Sequence, residues 1–269
     1  MSGMDYGDFK ARLESKFGFD LGGYKENFVA RRLESRMGAR GAKSMDAYWR
    51  MLSEEPGEYR AFLESISINV SEFFRDPASC NALWGVLEEI FSRKAEKKQK
   101  FVRIWSAGCS EGEEPYTLSI MVHELLGDMM KDFSVAIIAT DIDASALESA
   151  EQGTYFPQRV KNAGTRFLSK YFVPVGKKYT VKNSVKSLVR FARGDLMQPA
   201  LQQNFDLVCC RNVLIYLERE KQAAVFESLA ASLNIGGYLF LGSTEALPPN
   251  IAGRFRTVDA AARIYQKKE

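Results

Sequence analysis

A short apolar run, a turn of small residues and a helix start rich in carboxylates follow one another between Val102 and Tyr116. In many nucleotide sites this order holds a phosphate, because free backbone N–H groups and the helix dipole favour negative charge. Here Glu111, Glu113 and Glu114 occupy that place and would repel a phosphate. A ligand with an adenosine body, hydroxyl groups and a positive charge suits the turn better. S-adenosylmethionine (SAM) has these features, so the segment predicts a methyltransferase.

Carboxylates in a first turn are also favoured by the helix dipole alone, so helix capping remains a second interpretation of this segment. The next apolar run, 134–139, ends in acidic residues and precedes a helical stretch, 144–152. A Rossmann-like fold places the acceptor for ribose hydroxyls at the end of its second strand. We therefore assign Asp141 to the ribose and Asp143 to the N-cap of the following helix.

His123 is the only histidine of the chain, and it lies in a predicted amphipathic helix where a packing role is expected. Zinc sites built on several histidines and Ser-His-Asp or Cys-His catalysis are thereby excluded. The four cysteines contain no C-x-x-C pair, and Cys209 and Cys210 are adjacent in an apolar strand. We expect reduced thiols and no structural metal. No apolar run has transmembrane length and no signal peptide is evident, so we expect a cytoplasmic protein.

The pattern along the chain predicts a helical part followed by an α/β part. Residues 1–62 read as a small helical bundle, and Pro56-Gly57 reads as a turn before linker helices over 63–100. Strands and helices alternate over 101–269, which predicts a doubly wound, Rossmann-like α/β domain. Its predicted strands are 101–106, 134–139, 205–210 and 237–242, and its predicted helices are 113–126, 144–152 and 218–233. Three short runs within 171–191, at 171–173, 179–181 and 188–191, predict a small antiparallel β-subdomain.

A predicted helix from about 26 to 40 carries four arginines, Arg31, Arg32, Arg36 and Arg40. This density indicates either a solvated face or a docking surface for an acidic protein or nucleic acid.

Five segments, taken in this order, resemble the chemotaxis protein methyltransferases of the CheR type, which transfer methyl groups from SAM to glutamate side chains of chemoreceptors. The segments are Ser67-Ile-Asn-Val-Ser-Glu-Phe-Phe-Arg75, Trp105-Ser-Ala-Gly with Gly112-Glu-Glu-Pro-Tyr116, Ala139-Thr-Asp-Ile-Asp143, Phe205-Asp-Leu-Val-Cys-Cys-Arg-Asn-Val-Leu-Ile-Tyr216, and Gly236-Gly-Tyr-Leu-Phe-Leu-Gly-Ser-Thr-Glu245. The resemblance covers nearly the whole chain.

The resemblance implies a set of cofactor contacts and S-adenosylhomocysteine as product, with no metal. The implied contacts are Asn69, Ser71, Arg75, Gly108, Glu114, Asp141, Asp195, Leu196, Arg211 and Asn212, with Asp195 and Leu196 beside the adenine. Family members usually have Thr where Ser71 stands, and the hydroxyl is kept. Many have Asn where Asp195 stands, so we expect a changed hydrogen-bond pattern and retained binding.

The implied chemistry suits a chain with one histidine. A glutamate carboxylate, with a pKa of about 4.3, is already a nucleophile at neutral pH and needs no general base. Arg75 could orient that carboxylate and the Tyr216 hydroxyl could donate to it, so both are better described as positioning groups. The alternatives are a surface salt bridge for Arg75 and a core role for Tyr216.

The resemblance further implies a partner, the cytoplasmic helical bundle of chemoreceptors, contacted by Arg32, Arg36 and Arg40. Some relatives grip a pentapeptide of the receptor tail through a glycine-containing loop of the β-subdomain. This chain has only Gly176 between Tyr171 and Phe191, which favours a pentapeptide-independent enzyme. We expect a monomer that neither binds nucleic acid nor inserts into membranes.

Three other functions are compatible with parts of the pattern. A methyltransferase acting on RNA or a small molecule would fit the arginine-rich helix, although the Asn/Asp-Pro-Pro-aromatic tetrad and an aromatic basic groove are missing. A non-catalytic SAM-sensing adaptor would be supported by loss of Arg75 or Tyr216, and both are present. A nicotinamide-dependent oxidoreductase is disfavoured because the G-x-G-x-x-G spacing is missing.

Overall fold

The computed structural model describes residues 3–66, 71–198 and 203–268. Contacts divide the chain into two units. The first comprises residues 1–68 and 216–222, and the second comprises 69–215 and 223–269. We call them the helical unit and the α/β unit, and their architecture confirms the predicted fold class. None of the described helices is long and apolar enough to span a membrane.

The helical unit is a bundle around buried aromatic rings. Its helices are α1 (Tyr6–Phe17), α2 (Glu26–Arg40), α3 (Met45–Glu54) and α4 (Pro56–Ile66). Phe9 packs against Tyr48 and Phe62, with ring centroids 6.3 and 5.9 Å away. Pro56 begins α4 instead of forming the predicted turn, because a proline fits the first position of a helix. The predicted boundary at residue 62 therefore falls inside a helix.

The α/β unit is built on a mostly parallel sheet. Its helices are α5 (Pro77–Glu96), α6 (Glu113–Leu126), α7 (Ala144–Gln152), α8 (Pro157–Val160), α9 (Gly164–Tyr171), α10 (Asn183–Lys186), α11 (Arg219–Ser232) and α12 (Pro249–Ala252). Its strands are β1 (Phe101–Ala107), β2 (Ser134–Asp141), β3 (Thr154–Tyr155), β4 (Phe172–Val175), β5 (Lys178–Val181), β6 (Val189–Arg193), β7 (Phe205–Cys210), β8 (Leu233–Leu241), β9 (Phe255–Asp259) and β10 (Ile264–Lys267).

The seven-stranded sheet has the order β6-β2-β1-β7-β8-β10-β9. The first five strands are parallel, and β10 and β9 continue the sheet in antiparallel fashion. The strand order reverses between β1 and β7, so the carboxyl ends of these two strands border the crevice where open α/β sheets bind ligands. The bounds predicted for α6, α7 and β7 are confirmed, while β8 begins four residues earlier than predicted, at Leu233.

Helix α5 is a layer of the α/β unit and not the predicted linker. Leu83, Leu87 and Ile90 are buried in the same core cluster as Ile104 of β1 and Leu118 of α6. The burial of this apolar face fixes α5 in the core of the α/β unit.

The predicted β-subdomain is partly wrong. A three-stranded antiparallel sheet exists, in the order β3-β5-β4, but its third strand is Thr154–Tyr155. The run 188–191 falls largely in β6, which pairs in parallel with β2 at the edge of the large sheet. Val189 and Phe191 pack against the main core, and a period-two pattern does not specify which sheet a strand joins.

Candidate active site

The turn after β1 closes tightly on the end of β2. Gly108 has a φ of +77°, and its N–H donates to the Thr140 carbonyl at 2.8 Å. The Cys109 N–H donates to the same oxygen at 3.0 Å. A Cβ at Gly108 would lie 2.5 Å from Cγ2 of Val213, so a side chain there would displace the segment after β7. Both the backbone conformation and the close approach therefore require glycine.

Asp141, at the end of β2, faces this turn. Its Oδ2 accepts the Ser110 N–H at 2.7 Å, and its Oδ1 accepts the Asp143 N–H at 3.0 Å. Burial raises the pKa of Asp141, although these two N–H groups oppose the rise. A carboxylate oxygen can accept a second hydrogen bond, so acceptor capacity for ligand hydroxyls remains. Asp143 caps α7 by accepting the Ser145 N–H at 2.9 Å, as predicted.

Glu114 lies in the first turn of α6, after Gly112 with its φ of +93°. Its Oε1 accepts a hydrogen bond from the Ser106 hydroxyl at 2.7 Å, and its Oε2 lies 3.9 Å from Nη1 of Arg211. Burial raises the pKa of Glu114, while Arg211 and Ser106 oppose the rise. Glu114 and Arg211 therefore form a charge pair at the crevice between β1 and β7.

Arg75 stands between two residues with left-handed backbone, Phe74 with φ +52° and Asp76 with φ +59°. Such conformations are strained for residues other than glycine and are often found at functional sites. The Phe74 N–H donates to Oγ1 of Thr117 at 3.1 Å, and the Arg75 carbonyl accepts from Nη2 of Arg211 at 3.2 Å. The structure thus brings the Arg75 segment and Arg211 together, as the resemblance implies.

Glu245 is a site residue to which the sequence pattern assigned no role. Its carboxylate is 4% exposed and accepts the N–H groups of Asn212, Val213 and Leu214 at 2.8 to 3.0 Å. It also accepts the Gly242 N–H at 2.8 Å. Four charge-assisted hydrogen bonds fix the loop after β7, in which Asn212 has a φ of +59°.

Arg159 is the second residue without a predicted role. Its Nη1 donates to the Ser71 carbonyl, and its own carbonyl accepts the Phe73 N–H at 2.9 Å. The same guanidinium pairs with Glu111 at 2.8 Å and lies 3.2 Å from the carboxylate of Glu113. Arg159 therefore holds the segment before Arg75 against the turn before α6.

Glu113 is buried without a geometric hydrogen-bond partner on either carboxylate oxygen. Burial raises its pKa to about 7, although the charge of Arg159 opposes the rise. Glu113 and Glu114 thus differ: Glu114 faces Ser106 and Arg211, and Glu113 faces Arg159.

Asp195 and Leu196 follow β6. The Asp195 carboxylate accepts the N–H of Met197 at 2.9 Å, which stabilises the turn after the strand. Leu196 lines a cleft of about 440 Å³ along α11. Asp141, Glu114 and Arg211 do not line this cleft, so their contact with the same cofactor as Leu196 stays a prediction. Asn69 lies outside the described residues.

Tyr216 groups with the helical unit, where its ring centroid lies 4.9 Å from that of Phe28. Its carbonyl accepts the Lys25 N–H at 2.9 Å. The role of Tyr216 beside the transferred methyl group stays a prediction.

The three predicted docking arginines differ in their partners. Arg36 and Arg40 pair with Glu58, and Arg40 also pairs with Glu55 at 2.6 Å. The Arg32 guanidinium lies 5.4 Å from the ring centroid of Phe28.

The crevice residues fit SAM. Asp141 and Glu114 retain acceptor sites for ribose hydroxyls and for an ammonium group. Arg211 is buried beside the Phe240 ring, and its Nε has no hydrogen-bond partner among the described residues. This donor suits the cofactor's carboxylate. No group of His, Cys, Asp or Glu suited to a metal ion is found within the described ranges, and the four cysteines are buried and free.

Two family models match nearly the whole chain. The SAM binding domain of CheR methyltransferases matches residues 69–264, and their all-alpha domain matches residues 4–67. The division between these matches agrees with the division between the two structural units.

Full-length relatives share about a third of their residues with this chain. The chemotaxis protein methyltransferase of Listeria innocua is 33% identical over 244 residues, covering 90% of each chain. Chemotaxis protein methyltransferase 1 of Pseudomonas aeruginosa is 34% identical over 272 residues, covering 98% of this chain and 97% of the relative. An uncharacterized 104.1 kDa protein of Rhodobacter capsulatus is 32% identical, and the match spans only 25% of its length.

Proposed function

Because the chain belongs to the CheR methyltransferase family, we propose that it transfers a methyl group from SAM to glutamate side-chain carboxylates of chemoreceptors. The products are glutamate methyl ester and S-adenosylhomocysteine. The observation that carries the proposal is the crevice between β1 and β7, where Glu114, Asp141 and Arg211 offer carboxylates and a guanidinium to a SAM-like ligand.

The chemistry needs placement more than proton transfer. A bound SAM supplies a methyl carbon on a positively charged sulfur, so a carboxylate oxygen can form the new C–O bond as the C–S bond breaks and its electron pair returns to sulfur. A glutamate with a pKa of about 4.3 is ionised at neutral pH. In-line placement can contribute roughly 7 to 11 kcal/mol to the rate. Arg75, Ser71 and Asn212 hold the ligand on this proposal, and Tyr216 and Arg75 orient the incoming carboxylate.

The proposed partner is the acidic cytoplasmic helical bundle of a chemoreceptor. Arg32 is the best placed of the three predicted docking residues, because buried Glu58 already pairs with Arg36 and Arg40. The enzyme is proposed to act in the cytoplasm as a monomer.

We propose that recognition does not use a receptor-tail pentapeptide. The free edge of the small sheet is β4, and Val175 and Lys178 close a two-residue turn in which Gly176 has φ +59°. Such a closing pair bonds inward, so Phe172 and Pro174 face the free edge. The Phe172 N–H donates to Leu168 at the end of α9, and proline has no N–H. This edge therefore offers an added strand no free N–H donor.

The test is transfer of radiolabelled methyl from SAM to cytoplasmic receptor fragments, followed by mild base. Release of labelled methanol, and loss of label in Glu→Ala receptor variants, would support glutamate methylation. Asp141→Asn should weaken SAM binding at least tenfold by calorimetry, whereas Asp132→Asn, on an exposed loop of the same unit, should not. Base-stable label would indicate nitrogen or carbon methylation and contradict the proposal. Measurable binding of a receptor-tail pentapeptide would contradict pentapeptide independence.

A further inference from the structure

The small sheet of the α/β unit has an exposed face that the proposed reaction does not use. Val173 pairs with Thr180, and Val175 pairs with Lys178. Because side chains alternate along a strand, these residues lie opposite the buried Val181. The Lys178 ammonium lies 4.3 Å from the ring centroid of Phe156. We call this surface the outer face, formed by Thr154, Phe156, Val173, Val175, Lys178 and Thr180.

The outer face concentrates exposed apolar side chains. Seven large apolar residues are exposed across the described ranges, and three of them lie here: Phe156 at 56%, Val173 at 46% and Val175 at 56%. Apolar side chains scattered singly need no explanation, but a contiguous patch bordered by polar residues is typical of an interaction surface.

The chain around the outer face is basic and free of acidic residues. Residues 152–194 contain ten lysines and arginines and no aspartate or glutamate, whereas the whole chain has 37 basic and 34 acidic residues. Part of this charge is paired from outside the segment, as where Glu124 contacts both Arg166 and Lys170. Lys177 and Lys178 occupy the turn beside the two valines. The field of such a surface attracts a partner that carries carboxylates.

The dimensions of the face limit what can bind. Three strands about 4.8 Å apart, with about 3.4 Å per residue, give an area of roughly 200 Å². A stable interface buries about 800 Å² per partner, so this face alone cannot hold one. It is also smaller than the apolar surface of one myristoyl chain, which gives only marginal membrane binding. Two turns of an α-helix, about 11 Å long, match its width.

We propose that the outer face is an auxiliary docking surface for an acidic amphipathic helix of the substrate protein. This inference rests on the proposed function and adds a second contact to it. The apolar side of the helix packs on Phe156, Val173 and Val175, and its carboxylates approach Lys177 and Lys178. The contact acts through side chains on the face of the sheet, because the β4 edge offers no free N–H donor to a strand.

The test compares Val173→Glu/Val175→Glu with the matched control Ile235→Glu, which places a carboxylate at a 76% exposed apolar residue elsewhere in the same unit. We expect the paired substitution to raise the KM for a receptor fragment five- to twentyfold. Its kcat and its SAM affinity should stay within twofold of the unsubstituted enzyme, and Ile235→Glu should change none of the three. Lys177→Glu/Lys178→Glu should also raise the KM.

An unchanged KM in the valine variant, or an equal rise in Ile235→Glu, would overturn the inference. So would loss of binding to phosphatidylserine vesicles without a change in KM, since that result would identify a lipid surface. If the glutamate variant does not fold, Val173→Ser/Val175→Ser should still raise the KM at least threefold. Hydrogen exchange of residues 172–181 in the unsubstituted protein, with receptor fragment and no SAM, should slow. It tests docking even if no base-labile methylation is found.

Discussion

Arg36 and Glu58 form a bidentate ion pair, with Nε 3.0 Å and Nη2 2.6 Å from the two carboxylate oxygens. The Glu58 side chain is 1% exposed, and the Tyr48 hydroxyl donates to it at 2.8 Å. The pair joins α2 to α4, so Arg36 stabilises the helical unit whether or not it also contacts a partner.

Arg36→Ala should therefore destabilise the helical unit by about 3 kcal/mol, because it leaves a buried carboxylate with fewer partners. Hydrogen exchange of peptides from α2 and α4 would measure the change. Arg31→Ala is the matched control, since Arg31 is exposed on the same helix and donates only to the Asn27 carbonyl four residues earlier. An equal effect in both variants would contradict a structural role for Arg36.

Acid should weaken the same unit. Burial alone would raise the pKa of Glu58, but hydrogen bonds from Arg36 and Tyr48 and the charges of Arg36 and Arg40 outweigh it, so the pKa is lowered. A lowered folded-state pKa gives stability that is present above the unfolded value of about 4.3 and is lost as pH falls through the folded value. Denaturant unfolding between pH 7 and pH 3 should show this loss. Glu58→Gln should lack the Glu58 part of it.

Local patterns predicted what depends on neighbouring residues. The bounds of α6 and α7 follow from apolar periodicity and caps, and Asp141 and Asp143 were separated correctly by their place after a strand. The contact of Arg159 with Ser71 joins residues 88 positions apart, and that of Glu58 with Arg36 joins residues 22 apart. Pairings of this kind are set by the packed structure, and no local spacing indicates them.

The same limit explains the β6 error. The run from Leu188 to Phe191 has the alternation of a strand, and its neighbours along the chain form the small sheet. Its partner, β2, lies some fifty residues earlier and offers a parallel edge that only the assembled sheet creates. Alternation predicts that a strand forms, while its partner depends on which edge remains open.

Arg32→Ala separates docking from stability within α2. Since Arg32 is recorded over the Phe28 ring and not in an ion pair, its loss should lower stability by no more than about 1 kcal/mol. If Arg32 docks an acidic receptor, the KM for a receptor fragment should rise several-fold at low salt and less at high salt, because salt screens exposed charges. Methylation kinetics at two salt concentrations would measure this. A KM that does not change would remove Arg32 from the docking surface.

Glu245→Gln should loosen the loop that carries Asn212. The variant replaces a charged acceptor of four backbone N–H groups with a neutral amide, so we expect a loss of about 2 to 3 kcal/mol in stability and weaker SAM binding. Calorimetry of SAM binding and denaturant unfolding measure the two effects. Glu227→Gln, at an exposed ion pair with Arg254, is the control and should be close to neutral. Retained SAM affinity in Glu245→Gln would show that the loop needs no such anchor.

Glu113 should make stability fall as pH rises. Burial raises its pKa to about 7, opposed by Arg159, so the folded protein holds this proton where the unfolded chain, with a pKa of about 4.3, has lost it. Stability from this group is complete below the unfolded value and decreases as pH rises towards 7, reaching a loss of about 3 kcal/mol above it. Glu113→Gln removes the ionisation, so its stability relative to the unsubstituted protein should increase from pH 5 to pH 8 in denaturant titrations. A stability difference that stays constant over this range would show that Glu113 is ionised throughout, held by Arg159 at 3.2 Å.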